Sequence, residues 1–412
     1  MIGSGVFLFP AVLAPYGSYR LLGWIGAGAG TLFIALMLGN LARRIPKIGG
    51  PYAYTRAAFG DLPAFLVAWG YWIAIWAAVA AIAVSCSGYL SVFVPVVGSS
   101  PVAGATASLA AIWLFTAINL AGVRTAGIVQ LVTTVLKLMP LFVIAIAGLA
   151  AGDVTAIPAE NPGHQPLPLL FASVIMLTMW AFVGVEAATV PADNVVAPER
   201  TIPRALMSGT LTVSAFYIAA TFGVMALVPV SELATSSSPF ADAAARLFGE
   251  WGAKFIGIGA LISIVGALNA NVLLSGQVPR ATAIDRMFPA RFAQLNANEA
   301  PAFALLVSSS LSSVLILMNY AKGLVAAFEM MILLSTLTTL VPYTLSAAAD
   351  MLLQKRDAAA GTALRWRSVV IALGALSFSL FAIIGSGLEV VGYGSLLLLA
   401  GLPVYFWMKR KQ

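Results

Sequence analysis

The chain has 412 residues, of which 61% are hydrophobic and only 9% are charged, whereas a soluble domain carries roughly 25% charged residues. A single histidine, His164, and a single cysteine, Cys86, exclude a His-Cys metal site and a disulfide framework. The net charge of +7 comes from basic residues scattered over many loops, which argues against nucleic-acid binding. The composition therefore predicts an all-α integral membrane protein that requires no cofactor.

Eleven apolar segments are each long enough to cross the roughly 30 Å of hydrocarbon in a bilayer. In chain order they lie near 21–42, 63–94, 102–121, 126–150, 167–192, 205–230, 252–278, 301–319, 324–353, 367–386 and 388–408. A further apolar segment, 1–15, is too short to span, and we interpret it as the second half of a first helix whose N-terminal half is missing. Counting this fragment as the first span, the sequence predicts twelve transmembrane helices.

The distribution of lysine and arginine predicts the orientation of the chain. An even number of spans places both termini on one side of the membrane, and most of the 22 basic residues fall in predicted loops on that side. The positive-inside rule therefore predicts a multi-pass protein of the plasma (inner) membrane with both termini in the cytoplasm. Because no polar linker interrupts the spans, we expect a single transmembrane domain over residues 1–412.

Two spans contain glycine-rich interruptions: Gly3-Ser4-Gly5 in the first and Gly184-Val185-Glu186 in the sixth. Close packing of helices is one explanation, since small residues are common at helix interfaces in membranes. The other is a pair of broken helices that bind a substrate near the middle of the bilayer. The two interruptions lie five spans apart. Because five is an odd number, the helices around the second interruption would be inverted in the membrane relative to those around the first. The pattern predicts a five-plus-five inverted repeat with units 1–150 and 167–353, followed by two extra helices at 367–408.

Three ionisable residues fall inside predicted spans: Lys137, Glu186 and Glu329. Each costs roughly 2.5–3.5 kcal/mol in hydrocarbon, so each is a candidate for a function. Glu329 lies only a few residues from the predicted outer loop that carries Lys322. We therefore expect Glu329 to reach water and to have a structural or peripheral role.

Several separate motifs, in order along the chain, resemble those of the amino acid–polyamine–organocation (APC) transporters. Within that superfamily the chain is most similar to the bacterial basic amino acid and polyamine exchangers. The resemblance covers essentially the whole chain. The motifs are Gly3-Ser4-Gly5-Val6-Phe7, Gly49-Gly50-Pro51-Tyr52-Ala53-Tyr54, Trp180-Ala181-Phe182-Val183-Gly184-Val185-Glu186, the run 194–203 and Leu340-Val341-Pro342-Tyr343.

The resemblance implies a LeuT-type fold and transport by alternating access, without the covalent chemistry of an enzyme. It implies gating by Tyr71 and Glu186, and proton coupling through Lys137 in place of sodium. A homodimer is compatible with it. The substrate-binding residues that it implies are Ile2, Gly3, Ser4, Gly5, Ala74, Ile75, Val79, Trp180, Ala181, Val183, Gly184, Asn271 and Leu333.

The third span departs from the arginine/agmatine exchanger in carrying the aliphatic residues Ile75, Val79 and Ile82 on one helical stripe. A buried guanidinium needs several acceptors, which these side chains do not offer. We therefore expect an amino acid permease or exchanger that prefers neutral substrates to arginine, with a cationic amino acid or polyamine antiporter as the alternative. A membrane-embedded enzyme and a sensor are less consistent with the sequence, because it lacks an HExxH motif and a soluble signalling domain.

Overall fold

The computed structural model describes residues 5–45, 50–122, 127–153, 161, 164–186, 197–360 and 366–410, with the backbone alone at 5, 127–138 and 198–199. The described chain forms sixteen α-helices joined by turns and short 3-10 segments. The helices are α1 (Phe9–Val12), α2 (Tyr19–Arg44), α3 (Pro51–Phe59), α4 (Asp61–Leu90), α5 (Val96–Ser99), α6 (Pro101–Leu120), α7 (Gly127–Ala151), α8 (Leu167–Met179), α9 (Pro198–Leu227), α10 (Val230–Leu233), α11 (Pro239–Ile284), α12 (Ala302–Asn319), α13 (Leu324–Ala359), α14 (Trp366–Gly385), α15 (Gly387–Leu399) and α16 (Gly401–Lys409).

The predicted spans coincide with helices throughout the described part of the chain. Nine of the described helical segments are long and apolar enough to cross a membrane, and α8 is apolar but shorter. Residues 187–192 of the sixth predicted span lie outside the described residues. Helices are expected here because a helix satisfies its own backbone hydrogen bonds where no water is available.

Helix α4 lies at the centre of the bundle and packs against α13 and α11. In its most apolar stretch 83% of the residues are buried inside the protein, compared with 22% in α6. Helix α6 therefore presents most of its surface to lipid, whereas α4 and α13 form much of the protein interior.

Two segments that lie between predicted spans, 231–250 and 279–300, are expected to be loops but are partly helical. Helix α10 occupies Val230–Leu233, and α11 begins at Pro239 and continues to Ile284. Proline is favoured in the first turn of a helix, and the alanine-rich run that follows has a high helix propensity. At Gly249, φ is 68°, so α11 contains a sharp bend that only glycine adopts readily.

Helices α7 and α9 approach each other unusually closely at Gly148 and Gly223. A β-carbon at Gly148 would lie 2.2 Å from the Cα atom of Gly223. Small residues at such crossings allow the two backbones to come into van der Waals contact, which is a main source of helix association in lipid. This contact fixes α7, the helix that carries Lys137, against α9.

Charged residues join the ends of α2, α3 and α13 on the face predicted to be cytoplasmic. Arg44 on α2 pairs with Asp350, at 3.5 Å, and with Asp357, both on α13. Arg356 donates a hydrogen bond of 3.0 Å to the backbone carbonyl of Ala58 near the end of α3. These contacts hold the predicted cytoplasmic ends of the three helices together.

Candidate functional site

Two 3-10 turns, one beginning at Gly5 of the first predicted interruption and one just before the second, lie side by side in the interior. Residues Gly5–Phe7 form a 3-10 turn before α1, and Trp180–Phe182 form another directly after α8. The two turns contact each other. Of the predicted binding residues, Ile2, Gly3 and Ser4 lie outside the described residues, and Gly5 is described at its backbone alone.

Three aromatic rings form a cluster where these segments meet α13. The ring of Trp180 lies 6.0 Å from that of Phe9 and 5.7 Å from that of Phe328, centroid to centroid, and the Phe9 and Phe328 rings are 6.1 Å apart. We call these three residues the aromatic cluster. Aromatic faces bind alkyl chains by dispersion and cations through the ring quadrupole, so the cluster is suited to an organic cation.

A chain of hydrogen bonds connects Trp180 to α13 and α4. The indole Nε1 of Trp180 donates to Ser335 Oγ at 3.1 Å, and Ser335 Oγ donates to the carbonyl oxygen of Ala74 at 2.8 Å. Ala74 is a predicted binding residue, whereas Ser335 was missed by the sequence reasoning. The signal that could have found it is the polar run Ser335-Thr336-Leu337-Thr338-Thr339 inside an otherwise apolar span.

Leu333, the binding residue predicted in this span, is partly buried two positions before Ser335 and packs against the hydrophobic core. Of the other predicted residues, Ala181 is buried, and Val183 is partly buried against the core. Asn271 on α11 donates from its side chain to the carbonyl of Ala267 in its own helix at 2.9 Å. Ile75 and Val79 are buried on α4.

The carboxylate of Glu186 is buried, with 1% of the residue exposed, and is held by groups from different parts of the fold. The hydroxyl of Tyr343 on α13 donates a short hydrogen bond to Glu186 Oε2. The backbone N–H of Gly184, whose φ is 99°, donates to the same oxygen at 3.1 Å. Tyr71 on α4 interacts electrostatically with both Glu186 and Tyr343.

The predicted gating residues Tyr71 and Glu186 are therefore brought together. Tyr343 belongs to one of the motifs that carry the family resemblance, but the sequence did not predict a role for it. Its position directly after Pro342, in the interior of a membrane helix, is the signal that could have singled it out. Hydrogen bonds to a carboxylate are among the strongest in proteins, so this three-residue group links α4, α13 and the segment after α8.

Glu329 follows Phe328, a member of the aromatic cluster, on α13 and is partly buried. It interacts electrostatically with Tyr16, in the turn between α1 and α2. Among the residues that the structure describes, it forms no hydrogen bond or ion pair. The sequence predicted a structural or peripheral role for Glu329; its partial burial and its place one residue after Phe328 also allow contact with a substrate.

The side chain of Lys137 lies outside the described part of the chain. The helix that carries it, α7, packs against α9 and α11. The role of Lys137 in proton coupling stays a prediction.

Long apolar helices that surround buried aromatic and acidic side chains define a multi-pass membrane protein. The amino acid permease family model matches residues 1–394, so the chain belongs to that family. It is an amino acid permease-type transporter of the inner membrane and not an enzyme.

Its relatives include bacterial antiporters and a polyamine transporter. The putrescine transporter PotE of Escherichia coli (strain K12) is 30% identical over 98% of this chain and 92% of its own length. The arginine/ornithine antiporter of Pseudomonas aeruginosa is 31% identical over 100% of this chain and 88% of its own length. The cadaverine/lysine antiporter of Escherichia coli (strain K12) is 33% identical, over 83% of this chain and 78% of its own length.

Proposed function

We propose that this protein exchanges dibasic amino acids for diamines across the inner membrane by alternating access. The observation that carries the proposal is that Trp180 is bonded to α13 between the levels of two acidic residues: Glu329 on α13 itself, and Glu186, which is bonded to α13 through Tyr343. Glu329 precedes Ser335, the partner of Trp180, by six residues, or about 9 Å of helix. Tyr343, the partner of Glu186, follows Ser335 by eight residues, or about 12 Å.

Two carboxylates on either side of an aromatic cluster suit a substrate with an ammonium group and an alkyl chain. The ammonium donates three hydrogen bonds to acceptors such as carboxylates, and the alkyl chain packs on aromatic and aliphatic surfaces. The names of the three relatives, which include putrescine, cadaverine, lysine, ornithine and arginine, favour the same cationic substrate class. This is the cationic alternative that the sequence left open.

The lining of α4 favours alkyl ammonium groups over guanidinium. Ile75, Val79 and Ile82 are buried and aliphatic, so they offer methylene contacts without acceptors for the five donors of a guanidinium. We therefore infer that lysine, ornithine and their diamines bind better than arginine or agmatine. The expected preference for neutral amino acids rests on the same aliphatic residues and remains the second candidate.

In this proposal the irregular segments carry the alternating-access mechanism. Helices interrupted near the middle of the bilayer leave backbone N–H and C=O groups free to bind charged substrate ends. We assign the α-carboxylate to the segment that contains Ser4 and Gly5, and the α-ammonium to the segment around Trp180 and Ala181. The two predicted repeats, 1–150 and 167–353, would then move relative to each other around the substrate.

A competition assay tests the substrate class. Purified protein in proteoliposomes takes up labelled lysine in the presence of unlabelled lysine, ornithine, cadaverine, putrescine, arginine or leucine. We expect the lysine- and diamine-type compounds to compete best. Glu329→Gln should weaken their competition about tenfold, because a hydrogen bond to a charged group is lost. Glu389→Gln, an exposed acid on α15, is the matched control.

The proposal is contradicted if leucine competes more strongly than lysine and cadaverine in the wild-type protein. That result would favour the neutral amino acid permease. Equal loss of competition in Glu329→Gln and Glu389→Gln would show that Glu329 acts only through its long-range charge, and would remove it from the binding site.

We propose that Lys137 takes the place of a coupling cation and makes transport independent of sodium. A desolvated ammonium in α7 can donate to backbone carbonyls near the interrupted first helix and can lose its proton during the cycle. An inward proton gradient should then stimulate uptake, and Lys137→Ala should abolish the stimulation. Sodium-dependent uptake would overturn this proposal, and gradient-insensitive exchange by the wild-type protein would reduce Lys137 to a structural role.

A further inference from the structure

A cavity lies at the end of the bundle where α3, α4, α11 and α16 come together. No step of the proposed transport cycle uses it. Its volume is about 210 Å³, and its charged lining residues are Arg56, Asp61, Asp285, Arg286 and Lys409. A water molecule occupies about 30 Å³ of liquid, so the cavity has room for a polar group of several heavy atoms. By the positive-inside rule this end faces the cytoplasm.

The cavity carries both signs of charge. Arg56 Nε pairs with Asp61 Oδ1 at 2.9 Å. Asp285 interacts with Tyr52, whose pKa is raised to about 12 by burial and by the neighbouring Asp285 charge. The Nζ of Lys409 lies 5.9 Å from the centre of the Tyr405 ring. A ligand that fills this cavity therefore meets carboxylates as well as guanidinium and ammonium groups.

Exposed apolar side chains flank the cavity in the sequence. Ile284 directly precedes Asp285 and is 58% exposed, Phe59 is 38% exposed near Asp61, and Phe406 is 53% exposed next to Tyr405. Large apolar side chains at the surface of a membrane protein contact acyl chains. The surroundings thus combine a cavity of mixed charge with an apolar outer surface, which matches the two parts of a phospholipid.

We propose that this cavity binds the headgroup of a zwitterionic phospholipid that carries a primary ammonium, as in phosphatidylethanolamine. The phosphate is bound by Arg286 and Lys409, and the ammonium donates to Asp61 and Asp285. Basic pockets between helices at the cytoplasmic side commonly bind lipid phosphates. The two carboxylates distinguish this cavity from a purely basic one, because they provide acceptors for a headgroup ammonium.

The number of hydrogen-bond donors on the headgroup provides the sharpest test. A primary ammonium donates hydrogen bonds to carboxylates, whereas the trimethylated nitrogen of phosphatidylcholine carries no N–H and phosphatidylglycerol carries no cation. The cavity should therefore bind phosphatidylethanolamine ahead of both phosphatidylcholine and phosphatidylglycerol. This order does not depend on what the protein transports.

Native mass spectrometry of the purified full chain, titrated with the three lipids in competition, measures this order. We expect phosphatidylethanolamine to be retained at least about tenfold better than phosphatidylcholine, because phosphatidylcholine cannot donate the charge-assisted hydrogen bonds to Asp61 and Asp285. Asp285→Asn should remove most of that preference, Asp285→Glu should keep it, and Lys409→Gln should weaken all three lipids. Arg410→Gln is the matched control, since Arg410 is exposed and does not line the cavity.

Equal retention of phosphatidylethanolamine and phosphatidylcholine by the wild-type protein would overturn the proposal. So would an unchanged lipid preference in Asp285→Asn when thermal unfolding shows that the variant is folded. If soluble phosphoethanolamine displaces the lipid at equal concentration, the cavity binds a cytosolic solute and the assignment to a membrane lipid is wrong.

Discussion

Replacement of Glu186 by glutamine is expected to slow exchange about 10- to 100-fold, the range for loss of a hydrogen bond to a charged group. The carboxylate accepts hydrogen bonds from Tyr343 and from the backbone N–H of Gly184, and interacts with Tyr71 on α4. Glutamine fills the same space but removes the charge that attracts these donors. Exchange rates in proteoliposomes, beside ligand binding to the solubilised protein, measure the effect.

Because the side chain keeps its size and Glu329 remains available to the substrate ammonium in the proposed site, we expect binding and thermal stability to change less than the exchange rate in Glu186→Gln. Tyr343→Phe should slow exchange in the same direction but less, since it removes one of the donors and leaves the carboxylate. Equal exchange rates for wild type and Glu186→Gln would contradict a gating role. A large fall in the unfolding temperature with unchanged turnover per folded molecule would instead assign Glu186 to folding.

Replacement of Trp180 by leucine is expected to raise the KM for lysine about 30-fold, which corresponds to about 2 kcal/mol for a desolvated cation–π contact. Trp180 is 8% exposed and packs against Phe9 and Phe328. Leucine keeps an apolar side chain there but removes the aromatic face and the donor to Ser335. Initial uptake rates over a range of lysine concentrations give the KM.

Two further variants separate the aromatic face from the hydrogen bond. Trp180→Phe keeps a ring and should retain most of the affinity, whereas Ser335→Ala leaves the ring and removes the acceptor of its indole N–H. Trp251→Leu is the matched control, because Trp251 is 73% exposed on α11. A Trp180→Leu protein with the KM of the wild type would exclude Trp180 from the substrate site.

Much of the architecture could be predicted because hydrophobic length alone locates membrane helices. Glu186 could be singled out as well, since a charged residue beside a glycine-rich interruption stands out in an apolar span, whereas Trp180 followed from the resemblance to the APC transporters. The long helix α11 was harder to predict. The sequence before Gly249 has the composition of a polar loop, although it is helical. The helix also continues to Ile284, beyond the predicted apolar segment 252–278.

The roles of Ser335 and Tyr343 could not be predicted in the same way. Hydroxyl groups in membrane helices usually bond to their own backbone, as Thr336, Thr338 and Thr339 do here. The sequence does not show which hydroxyl crosses to another helix, as Ser335 does to Ala74 and Trp180. The surroundings of Glu329 are a similar case: its distance from a loop is visible in the sequence, but its interaction with Tyr16 is not.

The most direct test of exchange is counterflow in proteoliposomes. Vesicles are loaded with unlabelled cadaverine, with leucine or with buffer, and the initial uptake of labelled lysine is measured without sodium. The account predicts that cadaverine inside the vesicles accelerates lysine uptake at least about tenfold over the other two conditions, because an obligate exchanger returns across the membrane only with a substrate bound. Lysine uptake at the same rate into cadaverine-loaded and buffer-loaded vesicles, or acceleration by leucine alone, would contradict it.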